Sequence, residues 1–476
     1  MRRFSRLHGS EIKGAAMYIG SNQSRREFLR YASHFAAAGT GASLACNLGL
    51  IGHAAATTAD DYKALVCIFL YGGNDDQNTL PPYDPENYNL YLAARQSIAL
   101  DRSQLAATLL STDTDLGGRQ FALHPSLAPL RPIFDDARMA VLLNVGTLLQ
   151  PINKVQYQKL PTMAPPRLFS HVDQQNFFQT GSFTNPTVGW GGMIGDLLQA
   201  YNGIPSLTCI SAAGRAAFVS GTQSGGYSIG VNGAVELFDG STTVADSPSI
   251  YASMLDIMKN SGRDMFSREY AKVTSRALAL SDNLGAALDT APDAGFALFP
   301  SGNSLASQLK IVARMIASTS QTSAKRQVFF VSLGGFDTHS GIPERHPALL
   351  ATLATALKAF YDTTVALGIS EKVTTFTASD FGRALASNGD GSDHGWGAAH
   401  FVVGGAVKGR RFYGTPPAVG INTNDDVGRG RLIPTTSVDQ YAATLASWFG
   451  IAVSDLSLLL PNIVNFDAAK WNVGFV

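Results

Sequence analysis

Apolar residues along this chain gather in short continuous runs bounded by glycine, proline or polar turns. Tyr62–Leu70, Met139–Val145, Val328–Leu333, Val373–Thr377 and residues 401–404 are of this kind. Runs of this length, rich in Val, Ile, Leu and Phe, read as strands buried on both faces. Between them, apolar positions recur at helical spacing. The pattern predicts helices from His124 to about Phe134 (broken early by Pro132), from Ser170 to Thr180-Gly181, over Met193–Tyr201, over 347–367 and over 437–449. Residues 248–320 also read as helical, with Met254, Leu255, Met258, Leu305, Leu309, Val312 and Met315 at core spacing. Strands alternating with helices predict an α/β fold, a mostly parallel central sheet with helices on both faces. Residues 205–245 instead alternate Ser, Thr, Gly and Ala with single apolar residues, as in a peripheral sheet or surface loops. With the helical stretch that follows, they read as an inserted cap at about 205–325.

The amino-terminal segment has a different character. Ser24-Arg25-Arg26-Glu27-Phe28-Leu29-Arg30 is a twin-arginine pattern, a mildly apolar stretch runs from Tyr31 to Gly52, and Ala54-Ala55-Ala56 supplies small residues for a cut after Ala56. This order reads as a twin-arginine signal peptide over 1–56, ahead of one α/β domain over 57–476. It predicts a periplasmic or secreted protein with no transmembrane helix. Met17 offers an alternative start, and Cys46 lacks the Leu three residues earlier that a lipid-anchor signal needs. Formal net charge is zero and charged residues are 15% of the chain, against about 25% in an average protein. No basic surface for nucleic acid is predicted. Beyond the signal only Cys67 and Cys209 remain. Cys67 reads as inert core, and a disulfide between the two is permitted by the compartment without being required.

The chemistry-bearing residues follow the strand-like runs. Leu65–Leu70 leads into Gly72-Gly73-Asn74-Asp75, and Val328–Leu333 into Gly334-Gly335-Phe336-Asp337-Thr338-His339. Val373–Thr377 leads into Ser379-Asp380-Phe381-Gly382-Arg383, and Asp393-His394-Gly395 precedes the last run. Segments at the carboxyl ends of parallel strands converge on one crevice. Asp oxygens and His nitrogens together suit a divalent ion such as zinc or manganese. A single Asp after a strand is more often a helix cap; four such clusters in one chain shift the balance toward a site. Gly72-Gly73 alone could suggest a dinucleotide fold, but the third glycine and the following acid are missing. His124 reads as a core histidine and His346 as a helix-start residue on the surface.

Through Gly72-Gly73-Asn74-Asp75, Gly335-Phe336-Asp337-Thr338-His339, Ser379-Asp380-Phe381-Gly382-Arg383 and Asp393-His394-Gly395 with Gly404-Gly405, the chain resembles the exported proteins catalogued as domain of unknown function 1501. That family is similar to the alkaline phosphatase and sulfatase superfamily. The resemblance implies an alkaline-phosphatase-like fold over the mature chain. It implies one or two divalent ions (zinc, manganese or calcium) on Asp75, Asp337, His339, Asp380 and His394, with Asp76 and His400 ranking behind. Phe381 stands where the superfamily has a His or Asn ligand, Asp337 and His339 are closer in sequence than their phosphatase counterparts, and the sulfatase Cys-x-Pro-x-Arg signature is absent. The superfamily's nucleophile position corresponds to Ser170, which reads either as an attacking hydroxyl at a helix start or as a cap. His171 reads as a ligand or general acid. Arg383 reads as a fork for a phosphate or sulfate oxygen, or as a structural ion-pair partner. The expected function is an exported metal-dependent hydrolase of small-molecule or polysaccharide phosphate or sulfate esters. The alternative is a non-catalytic envelope protein that keeps the fold and binds a polysaccharide or a protein partner.

Overall fold

The five apolar runs form the middle of one nine-stranded sheet in the computed structural model of the chain. The structure describes residues 61–184, 186–234, 248–259, 264–291 and 296–476, with side chains of 248–252 left aside. Met17, the twin-arginine pattern, Cys46 and the expected cut after Ala56 lie outside these residues.

The strands are β1 (Lys63–Leu70), β2 (Met139–Gly146), β3 (Cys209–Ser211), β4 (Tyr227–Ser228), β5 (Arg326–Leu333), β6 (Val373–Ser379), β7 (Arg383–Ser387), β8 (Ser392–His394), β9 (Ala398–Gly404), β10 (Arg411–Tyr413) and β11 (Thr436–Ser437). The sheet order is β10-β2-β9-β6-β1-β5-β3-β4, with β11 also on β2, while β7 and β8 form a separate hairpin. Pairing is parallel throughout except that β9 runs antiparallel to both β2 and β6. The whole link from β6 to β9, including the hairpin, stays at one end of the sheet, so β9 has to return in the opposite direction.

Every residue of β1 from Ala64 to Leu70 is at most 2% exposed, as expected for a strand covered on both faces. Ala64, Val66 and Ile68 share one core with Phe329 and Val331 of β5 and with helices from later in the chain. These helices contribute Leu305, Leu309, Val312 and Ile316 from Ser304–Ala317, and Leu350, Leu353, Leu357 and Phe360 from Ile342–Ala366. On the opposite face Phe69 packs edge-on to Phe178 at 5.9 Å, and Phe376 meets Trp190 and Tyr441 at 5.7 Å each. Burial of each such side chain contributes roughly 1.5–3 kcal/mol, so helices are pinned to both faces.

Several elements differ from the sequence reading. β3 and β4 lie within the stretch expected as a cap, in the part read as a peripheral sheet or surface loops, and they extend the edge of the central sheet. Ser304–Ala317, also in that stretch, is core-facing helix. The helix expected from 347 begins at Ile342, with Pro343 in its first turn, where a missing N–H costs nothing. His346, expected at a helix start on the surface, therefore lies within the helix and is buried, 3.1 Å from Asn74 Oδ1. Cys67 and Cys209 are buried free thiols. No helix among the described residues is long and apolar enough to cross a membrane.

Candidate metal centre

The register decides where the chemistry collects. Leu70 at the end of β1 is level with Leu333 of β5 on one side and Ser379 of β6 on the other. The three segments that follow therefore leave the sheet side by side. Gly72 and Gly73, at φ +114° and +80°, make this crowding tolerable. A Cβ on Gly72 would stand 2.3 Å from the Asp337 backbone nitrogen, and one on Gly73 would stand 2.6 Å from the Phe381 ring. Two further elements close the crevice: the β7–β8 hairpin, carrying Arg383 and His394, and a helix over His171–Thr180. We label that helix α1.

Asp337 is the hub. Its Oδ1 lies 3.4 Å from Nε2 of His171, 3.4 Å from Nε2 of His394 and 3.2 Å from Nε2 of His339. His171, Asp337 and His394 each offer one donor atom, and those atoms lie within 4.8 Å of one another. His339 joins from the rim, with its Nε2 2.8 Å from that of His394. The Asp337 side chain is 47% exposed, so the cluster opens to solvent.

Behind each imidazole stands an oxygen. His171 Nδ1 is 2.6 Å from Asp380 Oδ2, which also accepts from Gln175 Nε2 at 2.7 Å. The Gly72 N–H donates to both Asp380 oxygens at 3.2 Å. His394 Nδ1 donates to the Phe169 carbonyl at 2.6 Å. A carbonyl can only accept, so neutral His394 carries its proton on Nδ1 and presents a bare Nε2. His339 Nδ1 faces Asp393 Oδ1 at 3.7 Å. Asp393 in turn accepts from Asn388 at 3.1 Å and pairs with Arg429 at 2.6 Å.

The electrostatics follow from these contacts. The hydrogen bond to Asp380 raises the His171 pKa above its usual value against the effect of partial burial. Burial lowers that of His394. Burial also works against ionised Asp337, yet the Arg383 guanidinium, with the His171 and His339 imidazoles, holds its carboxyl below the usual range.

A zinc-type ion with bonds of about 2.0–2.1 Å in a tetrahedral shell sets its ligands about 3.3 Å apart, close to the spacings around Asp337 Oδ1. His171 Nε2 is buried and makes no hydrogen bond; in the neutral ring, with the Nδ1 proton given to Asp380, that nitrogen carries the lone pair and faces the cluster. Both features fit a bound cation. The outer oxygens fit the same pattern, since metal-binding histidines generally give their second nitrogen to a carboxylate or carbonyl.

The residues singled out in the sequence are distributed unevenly around this centre. Asp337, His339, His394 and His171 meet. Asp380 stands behind His171, both oxygens engaged. Arg383 is fully buried in its side chain. Its N–H groups point at the carbonyls of Gly72 and Ser392 and at Asp337 Oδ1, so it holds Asp337 in place and keeps no fork free for a ligand. Ser170 precedes α1, and its Oγ donates to Asp173 Oδ2 at 2.6 Å. Asp75 lies apart, fully buried in an ion pair with Arg95. Asp76 is buried beside it, where loss of solvent and the neighbouring Asp75 charge push its pKa well up. His400 sits inside β9. Gln175, Asp393 and the Phe169 carbonyl went unassigned in the sequence reading. Gln175 lies one helical turn from His171 and Asp393 adjoins His394, so both had a local signal; a backbone carbonyl has none.

The sequence model for a protein family of unknown function, DUF1501, matches residues 62–452. No curated protein matches the chain. The chain belongs to the DUF1501 family.

Proposed function

Proceeding from membership of a family defined by sequence alone, we propose that this protein is an exported metal-dependent hydrolase acting on a phosphate or sulfate ester. The observation that carries the reading is the meeting of His171, Asp337 and His394 donors within 4.8 Å, with His339 on the exposed rim. Three protein ligands and an open fourth position are the usual form of a catalytic zinc site. An ion there would supply Lewis acidity toward an ester oxygen and make a water molecule more acidic.

The residues divide the remaining work. Arg383 keeps Asp337 ionised and fixed. Asp380 and the Phe169 carbonyl orient His171 and His394. His339, with Nε2 toward the crevice and Nδ1 toward Asp393, takes the proton of an attacking water and returns it to the leaving oxygen. The Ser170 hydroxyl is occupied by Asp173, which favours water over Ser170 as nucleophile. Arg431 donates from Nε to the His394 carbonyl at 2.9 Å and stacks on Phe169. With Arg429 it places positive charge beside the crevice, suited to an anionic ester. The fold we infer is alkaline-phosphatase-like, and the export route is the twin-arginine one.

One observation favours the second reading, a non-catalytic envelope protein with a structural ion. His339 Nε2 is 3.2 Å from Asp337 Oδ1, close enough to complete a closed four-ligand shell. Zinc-loaded protein assayed on an aryl phosphate and an aryl sulfate separates the two. The hydrolase reading expects turnover that falls by about 10²–10⁴ in His339→Gln while the ion is kept. Absence of turnover in the loaded wild-type protein, across both ester classes, overturns it and leaves the structural ion.

A further inference from the structure

We infer that this crevice takes a single ion of the imidazole-preferring first-row class, zinc foremost, and that Asp380 is a positioning residue for His171 rather than a ligand. The inference rests on the metal part of the proposed function and is independent of the hydrolysis.

Donor chemistry sets the class. Imidazole nitrogens with one carboxylate oxygen suit zinc and its neighbours. Calcium wants six to eight oxygens and magnesium an oxygen octahedron with several waters, and among the described residues only Asp337 offers the centre a carboxylate oxygen.

Ion count follows from what surrounds the cluster. On one flank the Phe381 ring, 4% exposed, lies 4.9 Å from the His171 ring and 4.8 Å from that of His394. It fills the ground beside both ligands with apolar carbon. Asp380, adjacent to Phe381 in the chain, is committed to His171, Gln175 and Gly72, and Asp75 is held through its Oδ2 by Arg95. Among the described residues no second group of donors of this kind is found.

The role of Asp380 follows from the ring geometry of histidine. Its carboxylate meets Nδ1 of His171, and the nitrogen that faces Asp337 is Nε2. The imidazole therefore stands between Asp380 and the ion position. With its side chain wholly buried, the carboxylate fixes the proton on Nδ1, sets the ring orientation and strengthens Nε2 as a donor.

The test uses the full chain, stripped with a chelator and titrated with zinc, cobalt or calcium salts. Bound metal is measured by elemental analysis and affinity by calorimetry. One equivalent of zinc is expected, calcium at least 100-fold weaker, and a cobalt form with the intense visible bands of a four-coordinate ion. Asp380→Asn should lower zinc affinity by about 10–100-fold with the stoichiometry still one. If that variant does not fold, Gln175→Ala removes one restraint on the same carboxylate, and a smaller fall in affinity is expected. Two equivalents of zinc, calcium affinity equal to that of zinc, or wild-type zinc affinity in a folded Asp380→Asn protein each overturn the inference. So does complete loss of the ion from that folded variant, which would make Asp380 a ligand. None of these readouts depends on turnover.

Discussion

His400→Phe should make the protein less sensitive to acid by an amount the structure sets. His400 lies in β9, 2% exposed, stacked on Tyr441 at 5.9 Å and edge-on to Phe178 at 5.7 Å. Its Nδ1 lies 3.4 Å from Thr377 Oγ1. Burial pushes its pKa down from 6.5 to about 3. The unfolded chain therefore binds a proton below pH 6.5 that the folded protein refuses until about pH 3. Over that window the unfolded state holds more protons, so stability rises with pH and is lost as pH falls. Each pH unit costs about 1.4 kcal/mol, so lowering the pH from 7 to 5 removes about 2 kcal/mol through this one residue. Phenylalanine keeps the ring packing and cannot take the proton. Urea unfolding of both proteins at pH 7 and pH 5 gives the comparison. The wild-type loss between the two pH values should exceed the variant's by about 2 kcal/mol. Equal losses would refute the claim that His400 stays neutral in the folded protein. Because the readout is a difference of differences, a packing cost of the substitution cancels.

Other expectations follow from the same kind of reasoning. Asp439, fully buried, has its pKa raised by burial to about 7; its folded form keeps a proton that the unfolded form releases near pH 4, so stability falls as pH climbs from about 4 to 7. Asp439→Asn should stabilise the protein at pH 8 by up to about 4 kcal/mol and do nothing at pH 4, as read by denaturant unfolding at the two values. Asp75→Asn strips the fully buried Arg95 of its ionic partner and should cost about 3–5 kcal/mol, while the metal-to-protein ratio of the folded fraction stays as in the wild type. Gly72→Ala places a Cβ 2.3 Å from the Asp337 nitrogen at φ +114°. It should destabilise by more than about 1 kcal/mol and weaken zinc binding in calorimetry, since Asp337 must move.

Much of the sheet was legible in the chain because a strand buried on both faces needs only a local run of apolar residues. Tyr62–Leu70 and Val328–Leu333 announce themselves in this way. The hairpin Arg383–Ser387 with Ser392–His394 does not, since its apolar residues are only Ala384, Leu385 and Ala386 between polar ends, too short a run to read as a buried strand. The antiparallel course of β9 was equally hidden: direction is set by the end from which a strand is entered, and composition carries no record of it. Tyr227–Ser228 has two residues in the sheet, too few for any periodicity.

Sequence alone determined that acids and histidines stand at the exits of buried strands, and so that several of them would share one end of the sheet. Tertiary structure decided what each one does there. Asp75 and Asp380 occupy similar places in the pattern, an acid just beyond an apolar run. Yet Asp75 meets Arg95, and Asp380 meets the back of the His171 ring. Neither partner is near in the chain to the strand whose acid it engages in a way that spacing could announce. The partner depends on where Pro85–Arg95 and α1 dock, and docking is set by the summed burial of many apolar side chains. The direction of a carboxylate is therefore a property of the packed molecule, while its presence at the strand end is a property of the chain.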